Sequence, residues 1–116
     1  MKSTELRIGN YVWDDYCGNM IIHQISNDLV DCKKENHLPS GRYDLNSIKP
    51  IVLDGNWLLK FGFVKSKTDM TFYKGDFEIF LPNFFLYKSS ALSGIKHVHQ
   101  LQNLHHALTG TELILK

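Results

Sequence analysis

The sequence predicts an α+β fold, and three observations lead there. Short runs of β-branched and aromatic residues, punctuated by Gly, Asn, Asp or Pro, occupy the first fifty positions and return after position 70. One compact helical pattern follows Asp54, and a second, longer one runs from His97 to Leu108. The length of 116 residues suits one domain, with 1–53 as a sheet-forming half and 54–116 as a helix–meander–helix half. Fourteen Phe, Trp and Tyr residues supply enough bulky apolar surface for a core without staples.

The elements follow in order. Leu6-Arg7-Ile8 reads as a short strand entering the turn pair Gly9-Asn10, and Tyr11-Val12-Trp13 as the strand after it. Asp14 to Asn19 is a polar connection. Met20 to Ile25 and Leu29 to Cys32 flank the turn cluster Ser26-Asn27-Asp28 and form a hairpin. Lys33 to Arg42 is the longest polar loop. Tyr43 to Leu45 and Ile48 to Leu53 complete the half, with Pro50 marking an edge or a bend. Several short strands within fifty residues suggest a curled sheet, and Leu-x-Ile-Gly-Asn-Tyr-Val is similar to the first strand of SH3-like barrels.

Asp54 is placed to cap a short helix through Trp57-Leu58-Leu59-Lys60-Phe61, and Gly62 to end it. This helix is expected to close the mouth of the first sheet, with Trp57 as a core residue. Thr71-Phe72-Tyr73, the turn Lys74-Gly75-Asp76 and Phe77 to Leu81 read as a hairpin, and Pro82-Asn83 turns the chain into Phe84 to Tyr87, giving a three-stranded meander. Ser89 to Gly94 is a small-residue loop. In the last helix Val98, Leu101, Leu104, Ala107 and Leu108 make an apolar stripe, Gly110 ends it, and Thr111 to Leu115 is a final strand.

Composition excludes more than it selects. Thirteen basic and twelve acidic residues leave a formal charge of +1, without the positive stripe of a duplex-DNA binder. Only a patch assembled in three dimensions, from Lys60, Lys65, Lys67 and Lys74, would serve nucleic acid. No apolar run approaches the ~20 residues that span a bilayer. The start Met1-Lys2-Ser3-Thr4-Glu5 lacks the apolar region of an export signal, so a cytoplasmic protein with Cys17 and Cys32 as reduced thiols is expected.

No catalytic motif emerges. His97, His99, His105 and His106 crowd one helix, and His99, Asn103 and His106 share a face. Yet no Glu or Asp lies between them to act as base or third ligand, so a polar face open to solvent or a partner outweighs zinc. Nucleophile elbows and phosphate loops are missing, and Asp14, Asp15, Asp28 and Asp31 read as solvated turn acids. No cofactor is expected. Binding remains: aromatics Tyr11 and Trp13 on the first strand, and amides Gln100, Gln102 and Asn103 on the last helix, are groups that stack on and hydrogen-bond a base. Arg42, in the polar loop, is a candidate phosphate partner. The plainer alternative makes the aromatics core and the amides surface.

Four blocks carry a resemblance. They are Glu5-Leu6-Arg7-Ile8-Gly9-Asn10-Tyr11-Val12, Ile48-Lys49-Pro50-Ile51 with Leu53, Trp57-Leu58-Leu59-Lys60-Phe61-Gly62-Phe63, and Val98-His99-Gln100-Leu101-Gln102-Asn103-Leu104 with Leu108-Thr109-Gly110 and Glu112-Leu113. In these the chain resembles a group of small proteins of Bacteroidota and of their phages and prophages, a group that brings no assigned activity. It departs from that group at His105-His106, where an aromatic pair is expected. The resemblance implies a non-enzymatic accessory factor of mobile-element type. One form sequesters a nucleotide-derived defence signal, as a homo-oligomer with interface pockets, through His99, Gln100, Gln102, Asn103 and Arg42. The other is an adaptor that binds a protein or nucleic-acid partner through the small barrel at Tyr11 and Trp13. A small hydrolase without motif-shaped residues is a weaker third reading.

Overall fold

The computed structural model describes residues 3–34, 41–67, 71–81, 84–92 and 95–115. They form a mixed α+β fold of two antiparallel sheets and two helices. The first sheet holds β1 (Tyr11–Asp14), β2 (Gly18–Ser26), β3 (Leu29–Lys34) and β4 (Gly41–Asp44), in the order β1-β2-β3-β4. Among the described residues no pairing closes β1 onto β4. The β2–β3 hairpin turns where the sequence places it, with Ser26 opposite Leu29. Leu6-Arg7-Ile8 is not a strand. It follows a short 3-10 turn, Ser3–Glu5, and leads through the Gly9-Asn10 turn into β1.

Two further readings change. Arg42 stands in β4 rather than in a loop, opposite Asp31 of β3; the rest of the expected loop, 35–40, lies outside the described residues. The Ile48–Leu53 segment makes only isolated bridges, Trp13 with Lys49 and Val52 with His97. Pro50 sits between them and has no N–H to give a ladder. The segment thus links the two halves of the molecule as an irregular tie.

Helix α1 (Gly55–Lys60) starts as expected. The Asp54 carboxylate accepts the Trp57 N–H at 3.0 Å, and Gly62 follows the helix at a φ of 90°, in the left-handed region that suits glycine. Its apolar face does not close the first sheet. Trp57, Leu58 and Phe61 pack with Phe72, Phe77, Ile79 and Phe85 of the second sheet and with Val98 and Leu101. The first sheet keeps its own buried cluster, built on Leu6, Val12, Met20, Ile22, Val30, Cys32, Leu45 and Ile48.

The second sheet has five strands: β5 (Val64–Lys65), β6 (Thr71–Lys74), β7 (Phe77–Phe80), β8 (Phe84–Tyr87) and β9 (Ser90–Leu92), in sequence order. The expected three-stranded meander is its centre; the expected turn at Pro82-Asn83 lies outside the described residues. Much of the expected small-residue loop is β9, joined to β8 by a two-residue turn. Lys88 and Ser89 adopt φ of 49° and 66° there, the geometry such hairpins require, although neither is Gly or Asn. Helix α2 (Val98–Thr109) ends at Gly110 with φ 77°. Its buried side is Val98, His99, Leu101, Gln102 and His105, so the expected apolar stripe is rotated and Ala107 and Leu108 face solvent. The described residues 111–115 form no strand; Leu113 enters the core from irregular chain.

Candidate functional site

The amides of α2 lie in the seam between α2 and the 5–11 segment. Gln102 is almost fully buried; its Oε1 accepts the Tyr11 N–H at 2.9 Å and its Nε2 donates to the Gly9 carbonyl at 2.9 Å. The Asn103 Oδ1 accepts from Asn10 Nδ2 and from Arg7 Nη1, each at 2.8 Å, while its Nδ2 donates to the Glu5 carbonyl. Asn10 is itself buried, and its Oδ1 accepts the Arg7 N–H at 2.7 Å. An ion pair from Arg7 to Glu112 closes the network. A non-repetitive segment buried against a helix needs its backbone groups satisfied, and two side-chain amides, each donor and acceptor, meet that need. The expected solvent-open face is therefore an internal clamp. Gln100 works at the helix start, where its Oε1 accepts the N–H groups of Lys96 and His97.

Arg42 and Trp13 lie apart from this seam, and Tyr11 joins it through its backbone N–H. Arg42, on the far edge strand of the first sheet, donates from Nε to Asp31 at 2.9 Å, and that carboxylate holds its pKa above the ordinary value. Tyr11 is half-buried, its ring 5.3 Å from Trp57 and 6.2 Å from Phe61, and it bridges the first strand to the second core. Trp13 is exposed on one face and donates from its indole to Asp15 at 3.2 Å. Asp14, expected in solvent, is buried and accepts the N–H groups of Tyr16 and Cys17, organising the β1–β2 turn. Cys17 and Cys32 are both free; burial pushes the Cys32 thiol up to about 12, and the Cys17 Sγ lies 3.3 Å from the Tyr43 hydroxyl.

Two of the helix histidines are buried. His105 stacks on Phe77 with ring centroids 5.3 Å apart and sets Nδ1 2.9 Å from the Thr111 carbonyl, which can only accept, so Nδ1 carries the proton. His99 stacks on His97, and its Nδ1 has no hydrogen-bond partner among the described residues. Burial lowers the pKa of both; His97 adds to the effect at His99, against Glu5, and Lys74 and His106 add to it at His105, against the Thr111 carbonyl. The unfolded chain then binds protons that the folded chain does not, so stability is complete above the ordinary histidine value of 6.5 and falls as pH drops below it. Urea midpoints should fall between pH 7.5 and pH 5.5, and His99→Gln should flatten that dependence. A midpoint independent of pH would contradict the burial of these rings. No group of three His, Cys, Asp or Glu side chains among the described residues is arranged to hold a metal ion.

Open chemistry lies elsewhere. The side of the second sheet turned away from the helices carries Val64, Thr71, Tyr73, Glu78, Phe80, Leu86 and Ala91, and Val64, Tyr73 and Phe80 are exposed. Thr71, Glu78, Phe80 and Leu86 surround an open hollow of about 330 Å³ on it. Sequence reasoning passed over this face, yet the signal is present. A strand with one solvated face alternates apolar and polar residues, whereas Phe72-Tyr73, Ile79-Phe80 and Phe85-Leu86 are apolar at both parities. A second opening, of about 500 Å³, lies where the 51–54 and 95–96 segments meet the end of the sheet. No described helix is long and apolar enough to cross a membrane. Comparison of the chain with protein-family models, curated proteins and solved structures gives no match.

Proposed function

We propose that the chain is a non-enzymatic adaptor that binds a protein partner through the outer face of its five-stranded sheet. One observation carries this reading: the central strands present Tyr73, Phe80 and Leu86 beside Thr71 and Glu78 on their outer face, and the chain's own helices cover only the opposite face. Contiguous apolar surface of this kind marks interaction sites. Glu78 is the charged side chain among the described residues of that face, and it has no cationic partner among them. A face-to-face pair of identical chains would bring two such carboxylates into one interface, which favours a different protein that presents an apolar surface with a Lys or Arg opposite Glu78. The nucleotide-sequestering alternative has less support, because the Gln102 and Asn103 amides are engaged by the protein's own backbone and side chains.

The purified chain should sediment as a monomer. A photo-crosslinking phenylalanine analogue at Phe80, incorporated in the cells that express the chain, should give one discrete adduct, lost when Glu78→Lys is added. The same analogue at Tyr16, fully exposed beside the first sheet, should give none. Against the partner so identified, Phe80→Asp should weaken binding at least about thirtyfold, the effect of removing an interface hot spot. A chain that crosslinks only to itself would make the face a self-association surface. Equal adducts from Phe80 and Tyr16, or none from either, would overturn the assignment.

A further inference from the structure

The second opening is separate from the partner face. We infer that it takes a small molecule with an apolar body and a single carboxylate, the acid held by Lys96. The volume of about 500 Å³ lies within the range of small-molecule sites. Val52, Leu53, Leu81, Phe85 and Ile95 give it apolar walls. One wall is fixed by backbone hydrogen bonds, Leu53 N–H to the Lys96 carbonyl at 3.0 Å and Val98 N–H to the Ile51 carbonyl at 2.8 Å. The opposite wall belongs to the second sheet, where Phe85 is buried in the core. The cleft is therefore bounded by hydrogen-bonded chain on one side and by the sheet on the other.

Two charges stand at its rim, Asp54 and Lys96, and they are not equivalent. The Asp54 carboxylate already accepts the Trp57 N–H as the cap of α1. The Lys96 ammonium makes no ion pair among the described residues. An anion at Lys96 supplies the missing partner while its chain lies on the apolar walls. Asp54 at the same rim repels extra negative charge, so a monocarboxylate suits the site better than a phosphate monoester. This inference stands apart from the partner face, since Phe80 and Glu78 do not line the cleft.

The test is titration calorimetry of the intact protein with decanoate, decyl phosphate, decanol and decylamine, each below its micelle concentration. Decanoate should bind with one-to-one saturation and most tightly of the four. Lys96→Met, which keeps the apolar stem, should weaken decanoate by about fivefold and leave decanol unchanged, the effect of an exposed ion pair. Val52→Asp, a change at an exposed position, should abolish binding of both without unfolding the protein. Equal affinity for decanoate and decanol, insensitive to Lys96→Met, would remove the acid from the inference. Tightest binding of decylamine would assign the site to Asp54 instead, tightest binding of decyl phosphate would replace the monocarboxylate by a dianion, and no saturable binding would overturn the site altogether.

Discussion

Phe61→Ala is expected to cost about 4 kcal/mol of stability, the loss of a fully buried aromatic plus the cavity it leaves. Total stabilities of small domains are about 5–15 kcal/mol, so this single change removes a large part of the margin. Phe61 closes α1 and lies 5.8 Å from Trp57 and 6.2 Å from Tyr11, ring centroid to centroid. Tyr11 belongs to the first sheet and Trp57 to the second core, so the ring stands where the two halves meet. Its loss should loosen both. Urea unfolding should show the midpoint lowered with an unchanged slope, and the thermal midpoint should fall by about 15 °C. A loss below about 1.5 kcal/mol would mean that Trp57 and Tyr11 collapse into the space. A biphasic transition would mean that the halves are held together by this ring more than by the amide seam.

How much of this was legible in the sequence depended on which force shaped each element. Local chemistry was readable. The Ser26-Asn27-Asp28 turn, the Asp54 cap with Gly62, the Lys74-Gly75-Asp76 hairpin and the Gly110 stop all appear where their residues predict them. Elements that depend on distant contacts were not. The Ile48–Leu53 run has strand composition, but its hydrogen bonds go to Trp13 and to the start of α2, so it ties rather than pairs. The Lys88-Ser89 turn carries no sequence signal because the pairing of Tyr87 with Ser90 imposes its backbone. Helix α2 misled for a related reason. Positions 98, 99, 101, 102 and 105 form its buried side, and three of them are His, Gln and His, which a count of apolar residues assigns to solvent. Residue type alone does not say whether an amide such as Gln102 or Asn103 faces a ligand or the chain's own backbone. The apolar outer face was present in the sequence as strands without alternation, a pattern that becomes visible only once register shows which parity the helices cover.

Gln102→Leu should cost about 3 kcal/mol although it puts an apolar side chain in an interior position. The side chain sits in the interior and holds the Tyr11 N–H and the Gly9 carbonyl at once. Leucine leaves both buried groups without partners, and each such group costs roughly 1–3 kcal/mol, only part of which the extra apolar contact offsets. The midpoint of thermal unfolding should drop by about 10 °C. Gln102→Glu separates hydrogen bonding from packing, because the two residues have nearly the same shape. An ionised carboxylate can accept from Tyr11 but cannot donate to Gly9, and it places a charge in the interior, so at pH 7 the variant should be at least as unstable as Gln102→Leu. A protonated carboxyl both accepts and donates. Burial raises the pKa of such a group above its unfolded value, so the folded state binds more protons than the unfolded one and the variant's deficit relative to wild type should shrink as pH falls from 7 to 5. That direction is opposite to the loss expected from His99 and His105 in every variant, which makes the difference from wild type the quantity to follow. A deficit that stays constant with pH would show that Gln102 acts through its shape, and the clamp between α2 and the 5–11 segment would then rest on Asn103 and the Arg7–Glu112 pair.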